Sequence, residues 1–368
     1  MKISAILNLF IFTTTLTFAQ SPEVVPFSSD RWEFSGEHAL EEYKGQPAVR
    51  LTDSQAYLSD VSLENGIIEY DIAFTSDRGF VGAMFRMQDQ ENYEEYYMRA
   101  HQSGNPDAMQ YTPVYNGMAG WQLYYGEGHG TPHFYRFQEW MHVKLVIADQ
   151  QMEVYIDNMN VPVLHAFELK RKAKAGFVGI YTAMKDAYFA NFSFQSMENP
   201  PIKSSPKSFP APEEGTIMQW QISDAFGSKQ LENQTELSKG FKSGLNWQTL
   251  ASESSGTVNL GQISEVAEET NTVVAKFTVD SDQKQIKPLL IGYSDMVTVY
   301  VNGKAVYGGQ RNFRSRDYRY LGTIGYFDTI YLPLDKGDNE IWFAVTENFG
   351  GWGVCARFPT LENISLAE

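Results

Sequence analysis

Residues 291–309, IGYSDMVTVYVNGKAVYGG, decide the fold of this chain. Val297, Val299 and Val301 alternate with polar or aromatic positions, Asn302-Gly303 supplies two residues that accept positive φ, and a short apolar run returns over 305–307. Strand, tight turn and returning strand make a β-hairpin. Outward from it the pattern repeats almost from end to end. Strands are expected at 48–51, 66–74, 80–87, 93–101, 109–115, 121–125, 141–148, 151–156, 176–182 and 187–194. A second set is expected at 217–222, 247–250, 258–260, 272–279, 287–293, 297–301, 305–307, 318–321, 327–332, 340–346 and 354–358. No window carries a sustained 3.6-residue apolar stripe, so the class is all-β, with sandwiches or barrels as the architecture.

At 368 residues, 43% hydrophobic and 14% aromatic, the chain is long enough for two cores. Lys2, an apolar stretch over 3–18 and Ala19 read as a signal peptide spanning 1–19, which implies a secreted or periplasmic protein. The single cysteine, Cys355, permits no internal disulfide, and none follows the leader to carry a lipid, which fits a bacterial envelope or medium. A net charge of −16 argues against nucleic acid and anionic membrane as partners. Between 197 and 215 the text becomes MENPPIKSSPKSFPAPEEG, whose five prolines favour an extended spacer. Two β-sandwich domains, 24–196 and 216–366, are therefore expected on either side of a Pro-rich linker.

The motifs Gly66-Ile67-Ile68-Glu69-Tyr70-Asp71-Ile72, Phe85-Arg86 leading to Asn92-Tyr93, Trp140-Met141-His142-Val143-Lys144, Val154-Tyr155-Ile156-Asp157 and Ala175-Gly176-Phe177-Val178-Gly179-Ile180 space strands and turns. In these the first region resembles concanavalin A-like, laminin G-like jelly rolls, including domains related to bacterial 3-keto-disaccharide hydrolases. The second region, through Tyr293-Ser294-Asp295, Val299-Tyr300-Val301-Asn302-Gly303-Lys304, Tyr331-Leu332-Pro333-Leu334 and Lys336-Gly337-Asp338-Asn339-Glu340, resembles the galactose-binding-like jelly rolls. The first resemblance implies a sugar site on a concave sheet face. Both folds host many functions, so the site must be argued residue by residue.

The glucanases on the first scaffold place their acids as ExDxxE, and here Glu69 and Asp71 are followed by Phe74, without the third carboxylate. Strand alternation sets Glu69 and Asp71 opposite Ile68, Tyr70 and Ile72, on an outer polar face. No nucleophile or metal signature occurs; His129 and His133 lie four apart in GEGHGTPHF with no helical period to align them. No cofactor is called, and a calcium requirement is not legible.

Taking Met87 opposite Tyr93 across the turn DQEN puts Phe85, Glu95, Tyr97, Arg99 and His101 on one face and Phe80, Met84, Tyr96 and Met98 on the other. The first set, with Gln110, Tyr111, Asn116 and Trp121 next to it, suits a saccharide. Flat rings stack on pyranose faces, while amide and guanidinium groups bind hydroxyls. Ordinary cross-strand aromatic packing accounts for the same residues. In the second region Arg314 and Arg316 sit in an arginine-rich run suited to a carboxylated or sulfated sugar, or else neutralise Asp317 and Asp328. Trp352, flanked by glycines, is a loop candidate for ligand contact or a buried anchor. The reading is an exported carbohydrate-binding protein whose partner is a poly- or oligosaccharide. Its rivals are a glycoside hydrolase or polysaccharide lyase with its site in the first region, and a structural or protein-binding envelope module.

Overall fold

The computed structural model describes residues 21–312 and 316–366; the leader 1–19 and Arg314 lie outside them. The chain is all-β, built from curled antiparallel sheets of jelly-roll type, with two separate hydrophobic cores, one formed between residues 25 and 194 and one between 217 and 364.

The first core is organised on the 18-residue strand Gln46–Leu63. Its Val49 to Thr52 pair with Asp186–Ser196, and its Gln55 to Leu63 pair with Gly176–Ala183. Two neighbours on one edge cannot stay coplanar, so they diverge into two layers. One continues through Gly66–Phe74, Met141–Ala148 and Gln151–Ile156; the other through Phe80–Met87, Tyr93–Arg99 and Met109–Tyr115. Leu58, Ile72, Phe85, Tyr96, Val143 and Phe189 are wholly buried between the layers. Only 48–51 of the long strand was expected, because Asp53 and Ser54 interrupt the apolar pattern where the chain changes layer, with Asp53 at φ 48°. The strand Glu33–Tyr43 was not expected at all. It covers the far edge of Gln46–Leu63 with most of its residues exposed, so it carries no apolar alternation to read.

The second core lies between a sheet built on Thr272–Ser281 and Gly337–Thr346 and a smaller one built on Gln285–Tyr293 and Gly353–Arg357. Trp220, Ile291, Val299, Phe343 and Trp352 fill it. The hairpin forms as the Asn-Gly pair dictates: Asn302 has φ 51° and Gly303 φ 84°, and Met296–Val301 pairs with Lys304–Gln310. Asn302 also clamps the neighbouring strand, accepting from Glu340 N at 3.0 Å and donating to Asn339 Oδ1 at 2.9 Å.

Two expected strands are absent from the described residues. Residues 121–125 form turns, with Leu123 N bonded to Gly120 O, and 318–321 is a loop with one isolated bridge, Asp317 to Tyr320. Residues 197–215 contain no strand or helix, yet they are not a free spacer: they are strapped onto the first core. The Glu153 carboxylate, with no exposed surface, accepts from Lys203 N at 3.0 Å and Ser204 N at 2.6 Å, and from the Tyr155 hydroxyl at 2.5 Å. Farther along, Phe209 packs 4.5 Å from Phe167 and stacks 5.1 Å from His129. Replacing Glu153 by Ala leaves two amide donors without their acceptor. The expected loss is about 2–3 kcal/mol, with faster hydrogen exchange at Lys203 and Ser204 as the local readout.

Candidate functional site

The hairpin of Phe80–Met87 and Tyr93–Arg99 pairs one residue out of the expected register: Phe85 opposes Glu94 and Phe80 opposes Arg99. Arg86 causes the slip. It bulges out at φ 48° and buries its guanidinium on Glu64 O (2.7 Å), Asp149 O (2.6 Å), Asn65 Oδ1 (3.1 Å) and the Glu94 carboxylate (3.1 Å). A one-residue slip exchanges faces. Phe85 therefore joins the core, while Phe80 and Met84 join Glu95, Tyr97 and Arg99 on the side turned away from it.

That outer face forms ordered rows across five strands. Gln55, Tyr181, Gly82, Tyr97 and Gln110 make one; Tyr57, Gly179, Met84, Glu95 and Thr112 make the next. Gly82 is required in the first, since a Cβ there would stand 2.0 Å from Tyr96 O. Tyr57, Tyr93, Tyr97 and Tyr181 pack as one cluster, each less than a tenth exposed, with Phe80, Phe177 and Trp121 half-buried around them. Glu95 is the one carboxyl in these two rows. It accepts from Thr112 Oγ1 at 2.8 Å, and burial pushes its pKa up to about 7.

The candidate residues take different places. Arg99 donates to Tyr97 Oη (2.8 Å), Asp107 O (2.9 Å) and Gln110 Oε1, and Gln110 Nε2 donates to the carbonyls of Trp121 (2.9 Å) and Tyr124. Both are buried, so their polar atoms pin the loop after Met109–Tyr115 rather than face solvent. His101 sits half-buried at the rim, its ring edge-on to Phe80 and its pKa lowered by burial and by Arg78 and Arg99. Tyr111 points the other way, into the first core; it has no exposed surface, and its hydroxyl donates to Glu94 at 2.5 Å. Trp352 is likewise wholly buried, donating to Val345 O at 3.2 Å, because it feeds the core strand Gly353–Arg357. Arg316 pairs with Asp328 at 3.1 Å together with Arg311, and Arg319 pairs with Asp317. Tyr111 and Trp352 are thus corrected from ligand contacts to core residues, while Arg99 and Gln110 become supports and Arg316 a partner of Asp328.

Asn116 and Trp121 come together with residues from the second core. Asn116 turns at φ 50° and donates to Gly261 O at 2.9 Å. The Trp121 ring lies 6.2 Å, centroid to centroid, from that of Phe349, a residue 62% exposed. The two rings line an open cleft of about 420 Å³ with Asn116, Asn348, Glu91 and Glu265. Phe349 is held from below by two buried acids. Its N–H donates to Glu347 Oε1 at 2.9 Å and Asp295 Oδ2 at 3.3 Å, and burial, then Asp295, pushes Glu347 up to about 8. The glycine-flanked loop was a candidate in sequence through Trp352, but the residue it exposes is Phe349.

Elsewhere, Glu69 and Asp71 share His142, whose nitrogens lie 2.9 and 2.7 Å from them and whose pKa is raised to about 9, first by the bond to Asp71 and then by that to Glu69. His129 is buried against Phe209, and no three side chains among the described residues form a metal-binding group. Sequence reasoning also passed over the run Lys170-Arg171-Lys172-Ala173-Lys174, four cations in five residues of an acidic chain.

No family model matches the sequence, and neither does any curated protein. Among solved structures, the carbohydrate-binding module CBM66 from Bacillus subtilis is 20% identical, over 45% of this chain and 96% of that one, with a TM-score of 0.36. A β-glucanase from Bacillus licheniformis is 9% identical over 48% and 100%, with a TM-score of 0.35. The exoplasmic/lumenal domain of VIP36, in its Ca2+/Man3GlcNAc-bound form, is 12% identical over 51% and 93%, with a TM-score of 0.34.

Because the folded-state pKa of Glu95 lies above its ordinary value, its contribution is full below pH 4.5 and is lost as pH rises through about 7. Glu95→Gln, which stays neutral, is expected to exceed the native protein in stability above pH 7 by up to about 3 kcal/mol. Urea denaturation across this pH range should show the difference vanishing in acid.

Proposed function

We propose that this protein binds a poly- or oligosaccharide in the cleft that Trp121 and Phe349 line together. The observation that carries the reading is the pair itself: two partly exposed aromatic rings, one from each half of the chain, with amide and carboxylate side chains of Asn116, Asn348, Glu91 and Glu265 around them. Apolar ring faces with planar hydrogen-bonding groups beside them match a pyranose, whose faces are apolar and whose edge carries hydroxyls. Export through the leader 1–19 and a bacterial polysaccharide-use setting belong to the same proposal, as does the division into two domains at 197–215.

Glu95 supports a second reading. A buried carboxyl whose pKa lies near neutrality, on a sheet face rich in tyrosine, has the proton affinity that a general acid or base requires. It has no second carboxyl in its own or the adjacent row, so a paired-carboxylate glycosidase is less well supported there than binding.

A glycan array with the intact protein, read beside Trp121→Ala and Phe349→Ala, tests the proposal. Binding to at least one saccharide class is expected, weakened about tenfold or more by either substitution. Absence of binding to every glycan would overturn it.

A further inference from the structure

The chain is strongly acidic, yet one cleft of about 570 Å³ beside the Trp121–Phe349 pair is bordered by cations. It lies between the end of the Phe80–Met87 hairpin, Tyr115 and residues 170–174, with Gln262 of the second half at its edge. Several of its charges are already spent. Arg86 and Glu94 form a buried pair at 3.1 Å, and Lys170 is shared between Glu168 at 2.8 Å and Glu253 at 2.9 Å. Arg171, Lys172 and Lys174 are different. Among the described residues none of the three meets a carboxylate within ion-pair distance, and the two lysines are exposed.

The geometry around them is fixed. The Arg171 guanidinium lies 4.2 Å over the Tyr115 ring, donates one bond to Val114 O at 2.6 Å and borders the cleft, where it also feels the Glu94 carboxylate that Arg86 pairs. Tyr115 is itself anchored through its hydroxyl to Lys170 O at 3.1 Å, and Gln88 ties the backbone of the run to the hairpin by donating to Ala175 O at 3.1 Å. A guanidinium already immobilised on an aromatic ring loses little freedom when it pairs with an oxyanion, and its fork suits carboxylate or sulfate oxygens. Three unpaired cations around a concave surface also focus a local positive potential within the field of a negative protein. Tyr115 lines this cleft and its chain neighbour Asn116 lines the aromatic one, so the two adjoin.

We propose that Arg171, Lys172 and Lys174 form a subsite for the carboxylate or sulfate group of an acidic saccharide whose neighbouring ring stacks on the exposed face of the Trp121–Phe349 pair. This rests on the saccharide reading above and names the class of sugar. Isothermal titration with oligogalacturonate, a sulfated galactan oligosaccharide and neutral oligosaccharides of equal length tests it. The native protein is expected to prefer a charged ligand by about tenfold at low salt, a preference that falls as salt is raised. Lys172→Gln/Lys174→Gln, which alters only exposed side chains, should remove that preference and leave neutral binding unchanged; Trp121→Ala should weaken both. Neutral ligands bound as tightly as charged ones, or a double variant with native preference, would overturn the subsite and leave saccharide binding standing. Failure of every saccharide would overturn both. Inorganic sulfate binding as tightly as the sulfated saccharide would assign the cleft to a free anion and also overturn the proposal.

Discussion

The side-chain amide of Gln110 carries more of this architecture than its size suggests. Its oxygen is held by Arg99 and Tyr97, and its nitrogen meets the carbonyls of Trp121 and Tyr124, so an irregular loop is fastened to the outer face of a sheet. Much of what joins the two cores lies on that loop. Gln122 accepts from Gly351 N at 2.8 Å and, through its backbone, from Ile324 N at 2.9 Å; Tyr124 bonds Glu253 at 2.5 Å, and Tyr125 bonds Ile324 O at 3.1 Å. Leu123, Tyr124, Ile324 and Cys355 close a small apolar cluster behind these bonds. Such bonds are worth most where water is excluded, and Gln110 and Gln122 are both almost wholly buried.

The same loop explains why the aromatic cleft is shared. Trp121 is set by a hydrogen-bond network in the first half, whereas Phe349 is set by Asp295 and Glu347 in the second. Neither half presents both rings. The acidic surface elsewhere and the basic run at 170–174 then divide the neighbourhood of the cleft electrostatically, with Glu253 binding Lys170 across the two halves.

Much of the fold was legible because alternation and turn chemistry are local. Asn302-Gly303 announced its hairpin, and most strands fell where period-2 runs predicted them. What was not legible depended on partners distant in sequence. The slip at Arg86 needs the carbonyls of Glu64 and Asp149 to bury its guanidinium, and the edge strand Glu33–Tyr43 has too little burial to leave a pattern. The candidate site was less legible than the fold. Asn116 and Trp121 stood out as amide and aromatic signals, but the exposed ring beside them, Phe349, was passed over for Trp352, since a tryptophan between glycines reads alike whether it anchors a core or faces solvent.

The long strand Gln46–Leu63 carries a further consequence, for the order in which the chain acquires its structure. Apart from the exposed edge strand Glu33–Tyr43, its partners are Gly176–Ala183 and Asp186–Ser196, more than a hundred residues downstream. The layer-forming strands made first therefore have no closing surface until the last pair is in hand. Loop-closure entropy of that kind slows folding and leaves an early chain open. Closure of the first core therefore waits on residues 176–196, a constraint set by topology rather than by any side chain.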